Sequence, residues 1–285
     1  MSDLSYLDAI ILGIVEGLTE FLPVSSTGHL TVTEKLLGLQ VDAPAVTAYT
    51  AIIQLGAIAA TFLYFWRDIV RLVVAWVGGL RSPQRRGSDY RLAWAVIVGS
   101  VPVMVVALAL KKVIEGPLRS LWVVAAALVL WSVVMWVAER RHGVLTRAGQ
   151  ERGEGTVTLR DGLIIGLVQC FSLIPGVSRS GATISAGLFR GIDRVTGTRL
   201  SFFLAIPALT AAGIFQAFEA RSDLPALGMG PMLVGVVVSF VVAYAAIAWL
   251  LRFVASNTLL PFVWYRVVAG LALAGVLAAG LLSAR

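Results

Sequence analysis

Six stretches of predominantly apolar residues recur along the chain, at roughly 45–66, 92–110, 118–138, 199–219, 232–251 and 263–283. Each is near the ~20 residues a helix needs to cross the hydrocarbon core of a bilayer. Two further segments, 7–31 and 160–189, begin apolar and are then broken by clusters of Pro, Gly and Ser. Backbone at membrane depth finds no water, so a break is tolerated only inside protein or beside a wet cavity. These two segments are therefore predicted to be re-entrant helix-loop-helix pairs, not spanning helices.

The two broken segments resemble each other. In "LDAIILGIVEGLTEFLPVSSTG" (7–28) and "RDGLIIGLVQCFSLIPGVSRSG" (160–181), Asp8 falls on Asp161, Gly13 on Gly166, Glu16 on Gln169, Ser25 on Ser178, Ser26 on Arg179 and Gly28 on Gly181, a constant offset of 161 − 8 = 153. At the same offset "AIIQLGAIAATF" aligns with "LAIPALTAAGIF", placing Gln54 on Pro207. Between the copies lie the three spans 45–66, 92–110 and 118–138. An odd number of crossings turns the second copy upside down, an arrangement that puts binding sites at the interface between repeats. The expected fold is an all-α polytopic membrane protein with an inverted-topology repeat, six transmembrane helices and two re-entrant helix-loop-helix pairs. It forms one integral membrane domain over 1–285, with repeat one at 1–138 and repeat two at 154–285.

Composition agrees with that solvent: of 285 residues, 58% are hydrophobic and 14% charged, against about 25% charged in soluble domains. The net charge of +7 gathers in short connections. "RSPQRRGSDYR" (81–91) and "RRHGVLTRAGQER" (140–152) each hold four Arg against one acid, which assigns both to the cytoplasm and makes the basic balance an orientation signal, not a nucleic-acid surface. The region before residue 45 and the C-terminus are then expected outside. Lys111, Lys112 and Arg119 dissent mildly from the rule. Cys170 is alone and His142, within the second Arg-rich stretch, is expected to be solvated. "MSDLSYLDAI" has two Asp and no Lys or Arg, which does not fit a cleavable signal peptide, so the mature chain is expected to start near Met1.

The chemistry lies in the breaks. Glu16 and Glu20 stand at i, i+4 and share a helical face. An acid at the bilayer centre costs roughly 2.5–3.5 kcal/mol, so a pair calls for a job such as holding a divalent cation or sharing a proton. Pro23 should end that helix. The turn after it offers Ser25, Ser26, Thr27 and Gly28, groups that can cap the next helix and equally bind phosphate at its N-terminus. His29, three residues after Ser26, has the pKa range of a general acid or base. In the second break the planar guanidinium of Arg179, flanked by Ser178 and Ser180 with Thr183 one turn on, suits bidentate phosphate contact. If the two turns meet, acids, serine and histidine face an arginine cradle, the parts of a phosphoryl-transfer site. Gln54 and Gly181 complete the expected substrate-binding set.

"EGLTEFLPVSSTGHL" and "PGVSRSGATI" resemble the two signature segments of the undecaprenyl-diphosphate phosphatase family, integral-membrane enzymes associated with bacitracin resistance, and the similar length and span order extend the likeness over essentially the whole chain. The resemblance implies Glu16, Glu20, Ser26, His29 and Arg179 as the essential residues. It implies hydrolysis of undecaprenyl diphosphate to undecaprenyl phosphate and phosphate, recycling the lipid carrier of cell-wall synthesis. It further implies a divalent cation, Mg2+ or Ca2+, with Glu16 and Glu20 as candidate ligands, in the bacterial plasma membrane with the site facing the periplasm or exterior. The partners it implies are the polyprenyl diphosphate and membrane lipids, without nucleic acid; a homodimer is one arrangement the sequence allows. Glu20, nearer the turn, is the better candidate for holding metal or orienting His29, and Ser26, deprotonated by His29, is favoured over water as nucleophile. The competing reading is a secondary transporter or lipid flippase, which inverted repeats and paired acids also suit. It has no use for Ser26 and His29 facing Arg179.

In a background lacking Cys170, single cysteines replacing Ser88 and Gln150 are expected to be shielded from an impermeant thiol reagent in intact cells, and one at Ser222 to react. Labelling of Ser88 from outside would overturn the topology.

Overall fold

The computed structural model describes residues 5–41, 43–219 and 228–284. Ser222, the expected external labelling position, lies outside them. The described chain is helical: α1 (Tyr6–Thr19), α2 (Ser26–Leu36), α3 (Pro44–Tyr64), α4 (Trp66–Arg81), α5 (Ser88–Ala109), α6 (Lys111–Glu115), α7 (Leu121–Arg147), α8 (Leu159–Gln169), α9 (Arg179–Phe189), α10 (Arg194–Glu219), α11 (Met229–Ser256) and α12 (Leu260–Ala278), with short 3-10 turns between some of them. Six of these, α3, α5, α7, α10, α11 and α12, are long and apolar enough to cross a membrane, one for each apolar run of the sequence.

The two broken segments become the short pairs α1–α2 and α8–α9, and their local chemistry matches. Ser5 opens α1 and Thr158 opens α8, each in a capping box with the acid three residues on, Asp8 and Asp161. Between the helices of each pair a serine adopts positive φ, Ser25 at 81° and Ser178 at 76°. All three correspondences keep the 153-residue offset. Small residues let the pairs lie tight against spanning helices. A Cβ on Gly13 or Gly17 of α1 would come within 2.8 Å of the carbonyls of Gly235 and Ser239 on α11. On the other pair, Gly162 and Gly166 of α8 abut Ala95 and Gly99 of α5 so closely that any side chain would collide with backbone.

The ends of the helices differ in charge. At one end Arg71 bridges Asp68, Asp89 and Glu154, while Arg199 bridges Asp68 and Glu154. Burial alone would raise the Glu154 carboxyl, but hydrogen bonds from Arg71 and Arg199 outweigh it and hold its pKa below the usual carboxylate range. Arg152 and Arg190 both pair with buried Asp161. At the other end Lys35, late in α2, donates to the Ser283 carbonyl at 2.7 Å, and the Leu121 N–H donates to the Ala284 carbonyl at 3.0 Å.

Two features depart from expectation. The stretch 66–81 forms α4, a helix with Trp66, Val70, Val73 and Val74 exposed on one side and Asp68 and Arg71 in the ion network. The arginines after Ala138 do not end α7, which runs on to Arg147, so His142 is fully buried with Nε2 3.1 Å from the Glu151 carboxylate. Charge at a membrane boundary does not break a helix, and there it meets the partners that bury it.

Candidate active site

Both breaks bring their turns to the same place. After α1 the chain passes Pro23 and bends through Ser25, whose left-handed φ is uncommon and strained for a non-glycine residue. Cross-chain bonds hold that strain. The Ser25 hydroxyl accepts from the Gly176 N–H at 3.2 Å, and the Ser180 hydroxyl donates to the Leu22 carbonyl at 3.1 Å. The deepest tie is Arg266 of α12, fully buried. It donates to the Gly176 carbonyl at 2.8 Å, the Pro23 carbonyl at 3.3 Å, the Ala127 carbonyl at 3.4 Å and the Ser132 hydroxyl at 3.3 Å. One guanidinium thus satisfies carbonyls in both turns, groups that cost about 1–3 kcal/mol each if buried unpaired.

Around this junction stand the sequence-predicted residues. The Ser26 hydroxyl donates to Glu20 Oε2 at 2.7 Å. Arg179 reaches the same carboxylate through Oε1 at 3.2 Å and the Ser201 carbonyl at 2.9 Å, leaving its Nε unpaired. Glu20, Ser26 and Arg179 therefore form one connected unit. Glu16 is buried with Oε1 unpaired. His29 stands apart from Ser26. Its Nδ1 can only donate to the Ser25 carbonyl, at 2.7 Å, which leaves Nε2 to accept from the Tyr265 hydroxyl at 2.6 Å. Neither expected partner of His29 is present: the serine proton faces Glu20, and Glu20 is occupied by Ser26 and Arg179.

The remaining candidates divide between scaffold and cavity wall. Ser178 caps α9 through the Gly181 N–H at 3.2 Å and bonds Ser180 at 3.1 Å; Thr183 spends its hydroxyl on the Arg179 carbonyl at 2.9 Å. Gly28 lets α2 approach Val124, which a Cβ would meet at 2.8 Å. Thr27 and Gln54, together with Ser26 and Pro175, line both of two adjoining cavities. One, about 650 Å³, is the more polar, with Glu16, Glu34, Thr50, Lys35 and Arg119 in its wall. The other, about 510 Å³, carries Glu20 and Arg179 and is otherwise largely apolar, walled by Val103, Met104 and Leu108 of α5 and Leu209, Ala212 and Phe215 of α10.

Among the described residues no group of three or more His, Cys, Asp or Glu could hold a metal ion. Hard cations such as Mg2+ nonetheless bind through one or two carboxylates completed by water and substrate phosphates. The free buried oxygen of Glu16 together with Glu20 fits that kind of site.

Sequence reasoning passed over Tyr265 and Arg266, although an arginine inside the apolar run "FVWYRVVAG" is a signal in its own right.

Fold and site define a multi-pass helical membrane protein that presents a hydroxyl–carboxylate–guanidinium cluster where a polar and an apolar cavity meet. The chain belongs to the family described as bacitracin resistance protein BacA, which it matches over residues 9–272. It is 54% identical over 290 residues to the undecaprenyl-diphosphatase of Cutibacterium acnes, covering 99% of this chain and 100% of that one. It is also 53% identical over 283 residues to undecaprenyl-diphosphatase 3 of Frankia casuarinae, and 46% over 285 residues to the undecaprenyl-diphosphatase of a Mycobacterium species, each covering 99% of this chain and 100% of the relative.

Replacing Arg266 by Lys keeps the charge but not the planar fork that spans both turns. Thermal unfolding of the purified protein in detergent is expected to show a midpoint lowered by several degrees, as a loss of about 1–3 kcal/mol requires. An unchanged midpoint would mean that the turns are held by other contacts.

Proposed function

We propose that this chain hydrolyses undecaprenyl diphosphate to undecaprenyl phosphate and phosphate, returning the lipid carrier to cell-wall synthesis. The observation that carries the reading is the Ser26 hydroxyl donating to Glu20 at 2.7 Å while Arg179 holds the same carboxylate at 3.2 Å. A hydroxyl on a carboxylate, beside a fixed cation, is a nucleophile with its base in place. A transporter has no need of that pairing. The cavities divide the substrate as its chemistry requires: the apolar slot between α5 and α10 takes the prenyl chain, and the polar chamber, which meets it at Ser26, takes the terminal phosphate.

In the proposed reaction Ser26 attacks the terminal phosphorus and Glu20 takes its proton. The bond to the bridging oxygen breaks, and that oxygen keeps the electron pair and leaves on undecaprenyl phosphate. Glu20 passes that proton on to the departing undecaprenyl phosphate. Water then attacks the phosphoserine, Glu20 taking the water's proton and returning it to the Ser26 oxygen as the bond from that oxygen to phosphorus breaks. Arg179, its Nε unpaired, balances charge on the phosphoryl oxygens. His29 is a positioning residue: by binding the Ser25 carbonyl and Tyr265 it fixes the strained turn that aims Ser26. A divalent cation, Mg2+ or Ca2+, would be held by Glu16 and Glu20 and would supply charge neutralisation for the diphosphate.

The reading places both short pairs as re-entrant segments in an inverted-topology repeat, 1–138 and 154–285. It is supported by the matching caps and positive-φ serines at offset 153, and by the opposite ends at which the pairs are tied, Lys35 to Ser283 in one and Arg190 to Asp161 in the other. The arginine-rich end is assigned to the cytoplasm, so the chamber near Lys35 and Arg119 opens to the exterior.

Purified protein in detergent is expected to release phosphate from undecaprenyl diphosphate and to lose that activity with a chelator. Ser26→Ala should lower turnover on the order of 10⁴-fold or more, and acid quench of the wild type should leave phosphate on Ser26. If the serine only donated a hydrogen bond the loss would be about 10²–10³-fold. A loss of that size with no phosphoserine trapped would remove Ser26 as nucleophile.

A further inference from the structure

Gln169 ends α8, and it is the position that the 153-residue offset pairs with Glu16. Its side chain is fully buried, and neither its amide oxygen nor its amide nitrogen has a hydrogen-bond partner. An amide sealed from water in that condition costs about 1–3 kcal/mol for each group left unmade. A leucine there would carry no such penalty. Gln169 lines the largely apolar cavity beside Glu20, Ser26, Ser178 and Arg179, whose Nε is likewise buried and unpaired. Two unpaired donors thus share the wall of one cavity, a pairing that the acceptor oxygens of an anion would satisfy.

Position decides which part of a ligand that is. On the proposed hydrolysis, on which this inference rests, the terminal phosphorus must sit against the Ser26 hydroxyl. The prenyl chain occupies the slot formed by Val103, Leu108, Leu209 and Phe215. The phosphate joined to the chain then lies between them, against the wall that holds Gln169. Charge agrees with this division. Glu16 lines the polar chamber with Lys35 and Arg119, whereas the slot already sets the Glu20 carboxylate beside the cations Arg179 and Lys111, and a second carboxylate at position 169 would add repulsion toward a phosphate. An amide supplies a donor without that repulsion.

We propose that Gln169 is a substrate-binding residue for the lipid-proximal phosphate: its Nε2 donates to an oxygen of that phosphate. As the bond from the terminal phosphorus to the bridging oxygen breaks, negative charge grows on the proximal phosphate, and the hydrogen bond strengthens. Gln169 therefore stabilises the departing undecaprenyl phosphate and contributes to the choice of a lipid diphosphate over free phosphate compounds.

The test compares Gln169→Leu with wild type in three measurements on purified protein: kcat/KM for undecaprenyl diphosphate, inhibition by undecaprenyl phosphate and inhibition by inorganic phosphate. Expected are a fall of at least ~10-fold in kcat/KM, about 1.4 kcal/mol, and an equal weakening of inhibition by undecaprenyl phosphate. Inhibition by inorganic phosphate, which reports the terminal subsite, should change less than ~2-fold, a split that general damage to the fold does not produce. The proposal is overturned if kcat/KM falls less than ~10-fold, or if both inhibitors weaken together. Should Gln169→Leu fail to fold, unbranched Gln169→Met is read by the same criteria. If wild type itself releases no phosphate, the hydrolysis reading fails, and binding of undecaprenyl phosphate to wild type and variant still decides whether Gln169 holds a lipid phosphate.

Discussion

A helix broken at membrane depth frees backbone groups that no solvent will satisfy, and the guanidinium of Arg266 answers that constraint for two breaks at once. It bonds the carbonyls of Pro23 and Gly176 from a helix more than two hundred residues along the chain from the first of them. Around it the turns satisfy each other: the Gly176 N–H goes to Ser25, and the Ser180 hydroxyl to the Leu22 carbonyl. Neither break could persist alone, because each supplies the other's missing donors and acceptors. The strained φ of Ser25 and Ser178 is held in the same way, by bonds that over-determine the backbone.

That mutual satisfaction assembles the chemistry. Glu20 belongs to one break and Arg179 to the other, and they meet because the backbones around them are tied. A buried ion pair is poor evidence of stability, since desolvating both charges costs as much as their attraction returns. Its presence here is better understood through Ser26, which shares the carboxylate. Phosphate chemistry in lipid also needs two solvents side by side, and the junction supplies both, with the chamber around Glu16 on one side and the slot between α5 and α10 on the other.

Local pattern made much of this legible. Apolar runs marked the six spans, and Pro and Gly clusters marked the breaks. The capping boxes at Ser5 and Thr158 repeat at the offset read from the motifs, and Glu16, Glu20, Ser26 and Arg179 all stand at the junction. What failed was of two kinds. Charge is a poor marker of a helix end, because arginines continue a helix readily, and so the apolar pattern shows neither α4 nor the stretch of α7 that carries His142. Partners were assigned by proximity in sequence, so Ser26 was given to His29, three residues away. The structure gives the serine to Glu20 and gives His29 to Tyr265, 236 residues distant. Contacts of that range leave no local trace, and only the oddity of a charge within α12 hinted at them.

The central claim is that Glu20, Ser26 and Arg179 act as one unit drawn from two breaks. A double-mutant cycle in kcat/KM for undecaprenyl diphosphate, using Glu20→Gln, Arg179→Met and both together, tests it most directly. Residues that work as a unit are strongly non-additive, so the double variant should be no more than ~10-fold worse than the poorer single variant. Losses that multiply, with the double variant falling by the full product of the two, would show that the carboxylate and the guanidinium serve separate purposes.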